Sequence, residues 1–451
     1  MRDLLTEVAS EVHILHCWHL GRMRSFLKNR GALWGVLQNS DFRIIWYMGA
    51  LGEFCRSIEM FVFSWMILEL TDSYIQLLLV PAFNNLPRLM ISMWAGYIAE
   101  RSPRARILLT AQTINVLTTT ILLSVIVYNF DLIEPWQVFA AMFIQGVTRS
   151  IEDPSRRTSI LDIVGQRRLV NALSLEVISN NLSRMTGPII GAILVATAGF
   201  IGTYVFLLTV HVFNLALMTR LRIPDFQGPA QVESIVRSLR LVVGYARRSS
   251  VLLGLFYITF VMNVLAFPIQ QFVPAIGRDH LGVGVTLVGL LVAANGFGQL
   301  AGAGIMSISR DLRYHGRIFV LGSIGILVVS GIFVWSPWYL LTFGFLTMSG
   351  IAHSYFSTMQ NSVTMLATFH HMRGRMLGLL STCIGAGMSL GALLIGLIVS
   401  AFSIQWTISL NSLAGLLLIV PAIVFTPLPW QTVSQIVEDS DSVAEPDDEE
   451  A

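Results

Sequence analysis

Two short charged strings each occur twice in this chain, and all four copies lie inside apolar stretches. Arg56-Ser57-Ile58-Glu59 returns as Arg149-Ser150-Ile151-Glu152, and Asn84-Asn85-Leu86 followed by Arg88 returns as Asn180-Asn181-Leu182 followed by Arg184. The copies are separated by nearly the same offset, about 95 residues. A charge near the centre of a bilayer costs about 3 kcal/mol on insertion scales, so such residues face a cavity and pair. On a helix, Glu53 shares a face with Arg56, Asn85 with Arg88, and Asn181 with Arg184. A buried carboxyl beside a movable cation has the parts for proton exchange: burial favours its neutral form, and the cation favours its ionised form. Glu53 is the better placed acid, with Glu59 nearer the outer half. Glu53, Arg56, Glu59, Asn85, Arg88, Arg149, Asn181 and Arg184 are therefore the candidate substrate and proton pathway. His353 is a further titratable group, and the C-terminal half otherwise offers neutral polar side chains such as Asn263, Gln270, Asn295 and Gln360.

The elements that position these groups follow from apolar runs of about 20 residues. Twelve such runs lie near 44–68, 76–99, 105–128, 136–154, 173–197, 201–220, 251–275, 284–308, 316–335, 337–361, 375–400 and 404–426. Turn chemistry separates them, as at Asp72-Ser73, Glu134-Pro135, Gly199 to Gly202 and Ser336-Pro337. Counted this way, the first string falls on spans 1 and 4, and the second on spans 2 and 5. A three-plus-three inverted repeat places those spans in related positions around a midplane binding site. The expected fold is thus all-α: twelve transmembrane helices in two six-helix bundles.

The boundaries are a cytoplasmic segment 1–40, a bundle 41–220, a linker 221–250 with a short amphipathic helix, a bundle 251–426 and an acidic, disordered tail 427–451. Every second loop carries arginines, which places both termini in the cytoplasm. Composition agrees. Of 451 residues, 54% are hydrophobic and 12% charged, and the mean hydropathy is +0.68. A soluble surface of this size needs about twice that charge. Three scattered cysteines make neither a disulfide framework nor a metal site, and residues 1–30 lack the apolar core of a signal peptide. No metal or cofactor is expected.

Several local strings resemble the drug:proton antiporter-3 branch of the major facilitator superfamily, which includes macrolide-efflux and enterobactin-exporter-like proteins. They are Phe42-Arg43, the run from Leu68 to Ser73, Gly96 to Arg106, Pro154 to Asn171, the core Gly187-Pro188-Ile189-Ile190-Gly191, and Arg373-Gly374-Arg375. The resemblance covers about residues 41–426. It departs at Glu100, where the family pattern has Asp, and in the Arg-Ser-Ile-Glu strings. It implies a cytoplasmic gate in which Gly96, Glu100, Arg101, Arg104 and Arg106 face Glu152 and Asp153, and an antiporter motif at Gly187, Pro188 and Gly191. Such charge pairs latch one of two packings and release in the other.

The expected function is secondary active transport: proton-coupled export of a small amphipathic molecule, drug- or siderophore-like, by alternating access. The partners are that molecule, protons and the lipid bilayer, with no nucleic acid, and the protein is expected to be a monomer in the cell inner membrane. A lipid or lysolipid flippase on the same fold and a non-transporting sensor or scaffold are the alternatives. An intramembrane enzyme lacks support: H-E-x-x-H does not occur, and the G-x-S-x-G spelled by Gly387 to Gly391 lies in the middle of an apolar run, without the strand and turn that expose such a serine.

Overall fold

The structure, a computed structural model, describes residues 36–436 apart from 102, 129–132, 222–234, 309–312, 370–371 and 400. Within helices, the side chains of 88–89, 92–101, 166–167, 170, 235–240 and 307–308 also lie outside the description. Among the described residues there are helices and no strands. In a bilayer this is the economical solution, because a helix satisfies its backbone polar groups within itself.

The N-terminal half comprises α1 (Ser40–Thr71), α2 (Tyr74–Arg101), α3 (Arg104–Tyr128), α4 (Pro135–Val164) and α5 (Gln166–Met218). Local chemistry sets their ends. Asn39 caps α1 by accepting from the amides of Asp41 and Phe42, and Asp72 ends it with φ 46°. Pro135 starts α4, where its missing N–H is no loss. Inside α5, Gly199 takes φ 64°, a left-handed value that glycine adopts freely, and breaks the helix. Contacts with α1 show that the chain reverses there. Ser183, Gly187 and Gly191 meet Ala50, Ser57 and Ile58 in parallel order, whereas Tyr204, His211 and Asn214 meet Phe63, Glu59 and Met48 in the opposite order.

A short helix, α6 (Ile235–Arg248), leads into the C-terminal half: α7 (Ser250–Leu265), α8 (Val285–Ile308), α9 (His315–Phe333), α10 (Tyr339–Leu366), α11 (Arg373–Val399) and α12 (Ile404–Phe425). One continuous span over 251–275 was expected. Instead α7 stops at Leu265 and continues through a 3-10 segment, Phe267–Phe272, and a π turn, Ile276–His280. Pro268 and Pro274 remove backbone donors there, which accounts for the change of winding. The expected disordered tail also needs correction at its start. Leu428 and Ile436 are buried, and the Val433 amide donates to the Arg313 carbonyl, so residues 427–436 pack on the C-terminal half. Residues 437–451 and 1–35 lie outside the description.

Among the described residues, seven stretches, all on α3, α5 and α7–α12 other than α10, are long and apolar enough to cross a membrane. The long helices outside that set are α1, α2, α4 and α10. Of these, α1 and α4 carry the charged strings, and α10 is rich in Ser and Thr. The halves meet where α5 packs on α8 and α2 packs on α11. At the end marked by Asp72 and Gly199, one apolar cluster joins both halves: Leu68, Leu77 and Leu78 with Phe272, Ile276, Leu291 and Ile395. At the arginine-rich end the clusters divide, with Phe42, Ile45 and Ile160 in one half and Phe319, Met376 and Leu428 in the other.

Candidate functional site

Both copies of the Arg-Ser-Ile-Glu string open onto one pocket inside the N-terminal half. Arg56 and Glu59 of α1 and Arg149 and Glu152 of α4 line it, together with Asn84, Gln112, Asn115, Gln145, Thr148 and His211. Five helical segments supply these residues: α1, α2, α3, α4 and the second arm of α5.

Two charge systems meet there. In the first, Glu53 lies 3.4 Å from Arg56 and 3.7 Å from Arg149, and Arg149 also reaches Asp153 at 3.3 Å. Asp153 then faces Arg156 at 3.6 Å, and Arg156 pairs with Glu176 at 2.8 Å. Arg156 and Glu176 are both buried, and Gly49 is what allows the Arg156 guanidinium to lie against α1. One guanidinium nitrogen of Arg56, Nη1, is buried without a hydrogen-bond partner among the described residues. In the second system, Glu59 accepts from Gln145 at 3.0 Å and lies 3.4 Å from Nε2 of His211. Gln112 holds His211 from behind, at 3.2 Å from Nδ1 and 2.9 Å from its backbone carbonyl.

The remaining candidates distribute as follows. Arg184 is exposed, and its charge acts on both Glu53 and His353, which belong to opposite halves. Asn181 is exposed. Asn85 donates to the Pro81 carbonyl of its own helix and lines a smaller cleft with Pro268, Gln271 and Ser389, beside the interrupted α7. The side chains of Arg88, Gly96, Glu100 and Arg101 lie outside the described residues. His353 is half-buried, with its ring against Phe267 and Phe356. Of the neutral groups in the C-terminal half, Gln360 reaches across to Thr259, while Asn263 and Asn411 bond carbonyls of their own helices.

Arg104, expected to face Glu152 and Asp153, has a different acid partner. Arg104 pairs with Asp162, whereas Asp153 is taken by Arg149 and Arg156; Arg106 is exposed. The reason is the length of α4, which runs to Val164 instead of ending near 154. Glu152 and Asp153 are therefore about 17 Å inside the helix end, at 1.5 Å per residue. The motif of α5 is a packing junction. Added methyl groups at Gly187 and Gly191 would meet Ser57 and Ile58 of α1, and one at Gly289 of α8 would meet Pro188 and Ala192. Small residues there let three helices approach closely.

His211, Gln112, Glu176 and Asp162 are the site residues that sequence reasoning missed. Each becomes meaningful only through a partner more than 30 positions away or on another helix.

Two halves joined at one end and separated at the other, with paired charges buried in one of them, define a membrane transporter of the major facilitator fold. A family model described as transmembrane secretion effector matches residues 32–450, and the chain belongs to that family of the superfamily. The chain is 25% identical over 67% of its length to the enterobactin exporter EntS of Shigella flexneri, covering 72% of that protein. It is 26% identical to the staphyloferrin A transporter of Staphylococcus aureus over 30% of its length, and the match spans only 33% of that relative. Among solved structures, a bacterial homologue of the human lysosomal transporter Spinster, inward-facing and unoccupied, superimposes with a TM-score of 0.63 at 15% identity, over 89% of this chain and 97% of that one. A D-xylose–proton symporter gives 0.67 at 13% identity, over 87% and 99%. At such identities the structures speak for the fold alone. The protein is a multi-pass membrane transporter, and its family and fold are not those of enzymes.

Proposed function

We propose that this chain is a twelve-helix secondary transporter that exports a small amphipathic organic molecule of siderophore type, using protons as the counter-ion. Its two six-helix bundles would be residues 41–220 and 251–426, with both termini in the cytoplasm. The observation that carries the reading is the pocket in which Arg56, Glu59, Arg149 and Glu152 of the two repeated strings meet. Buried charges at that depth are costly and are retained where a transported species or proton uses them. The family supports export, and the names of the Shigella and Staphylococcus relatives support a siderophore-like cargo. The division of the apolar clusters supports a state closed at the Asp72 end and open toward the cytoplasm.

The cycle follows from the packing. Substrate enters from the open, arginine-rich end and meets Arg184, Arg149 and Arg56. Opening at the Asp72 end requires the two halves to rock about the α5–α8 and α2–α11 contacts. Binding is testable directly. Iron-free enterobactin should raise the melting temperature of the purified protein, and Arg149→Ala should remove most of that rise. No stabilisation by either enterobactin or staphyloferrin A would count against a siderophore-like cargo.

A further inference from the structure

We infer that the proton-carrying site is the Glu59 carboxyl, held by His211 and Gln145, and that Glu53 remains a permanently paired anion. This rests on the reading of the chain as a proton-driven exporter and names the site that reading requires. The two acids lie one turn either side of Arg56, but their surroundings differ in kind. Glu53 has two guanidinium groups within ion-pair reach, Arg56 at 3.4 Å and Arg149 at 3.7 Å. Glu59 is 3% exposed, and among the described residues no guanidinium lies within that reach. Its partners are the neutral amide of Gln145 and the ring of His211. Removing Glu53's charge would take the acid within ion-pair reach away from Arg56 and leave Arg149 with Asp153 alone of its two acids at that reach, whereas adding a proton to Glu59 breaks no ion pair to an arginine.

The contacts of His211 favour the carboxyl as the group of the pair that receives the proton. The amide nitrogen of Gln112 only donates, and it faces both Nδ1 and the carbonyl of His211. In the tautomer in which Nδ1 accepts from Gln112, the ring carries its proton on Nε2, on the side of Glu59. A second proton on the ring would oppose Gln112. The mobile proton consequently lands on a Glu59 carboxylate oxygen, and His211 acts as a positioning residue. The other ionisable groups around the pair are Cys55 and Arg56 on α1, Arg149 and Glu152 on α4, and Tyr204 on α5. Arg56 supplies the release. Arg56 lies between the two acids in sequence and lines the same pocket as Glu59, and its Nη1 has no hydrogen-bond partner among the described residues. Turning toward Glu59, it would favour the ionised carboxylate and send the proton to the open side.

The test is pH-difference infrared spectroscopy on the full chain in liposomes. Wild-type protein should show a protonated-carboxyl band that grows on acidification. Glu59→Gln should abolish the band, Glu53→Gln should leave it, and His211→Gln should move its midpoint while keeping it. Glu59→Asp should shift the band, which preserves the test if the Gln variant does not assemble. Enterobactin flux in the same vesicles supplies the functional arm: Glu59→Gln should retain downhill exchange and lose its response to an imposed pH gradient. A band unchanged by both Glu59 substitutions, or one lost in Glu53→Gln, overturns the assignment. If wild-type vesicles move no enterobactin, the export reading fails, and the infrared band still decides where the proton resides.

Discussion

The Arg156–Glu176 pair shows how an ion pair can be both structural and adjacent to a transport route. Both side chains are buried, at 4% and 6% exposure, and they join α4 to the first arm of α5. Breaking a buried pair by removing one partner is far more damaging than removing an exposed charge, because the remaining ion stays desolvated. Asp153 remains near Arg156 at 3.6 Å and would offset part of the loss. Glu176→Leu should therefore lower stability by about 3 kcal/mol, toward the low end for such pairs. Thermal unfolding of the detergent-solubilised protein measures this, with the exposed Glu134→Gln as the neutral control. A melting point equal to wild type would show that Glu176 is solvated.

At the scale of helices, the junction of α1, α5 and α8 is where packing limits motion. A side chain at Gly289 would press on the Pro188 carbonyl and on Ala192 across the boundary between the halves. Overpacking of that kind typically costs about 1–3 kcal/mol. Gly289→Val should accordingly reduce transport more than it reduces yield of folded protein, with flux and size-exclusion profiles compared on one preparation. Equal loss of both would make the contact merely structural.

The helices themselves were legible from apolar runs and turn residues, and the repeated strings pointed to the pocket that Arg56 and Arg149 share. The winding change after Leu265 was legible in principle, since Pro268 and Pro274 stand in the run, but hydropathy alone reads through them. Partners were not legible. Asp162 lies on an extension of α4 too polar to count as a span, and His211 sits alone in an apolar run until α1 and α3 bring Glu59 and Gln112 to it.

For the whole molecule, the closed end carries a polar tie over its apolar seal. Arg278 of the C-terminal half donates to the Leu68 carbonyl at 2.9 Å and to Asp72 at 2.7 Å, and Tyr74 donates to Asp279 at 3.0 Å. Asp72 is largely exposed, so the tie is worth at most about 1 kcal/mol, a several-fold bias in population. Arg278→Ala should then increase labelling of a cysteine placed at Leu77, beneath the seal, by a few-fold. Unchanged labelling would mean that the apolar cluster alone holds this end shut.

The central claim is that proton flow drives export through this scaffold. Proteoliposomes loaded with enterobactin and given a pH gradient test it most directly. The account predicts accumulation of enterobactin on the acidic side, in either orientation of the gradient, and collapse of that accumulation when a protonophore is added. Even distribution across the membrane, or accumulation indifferent to the protonophore, would contradict it.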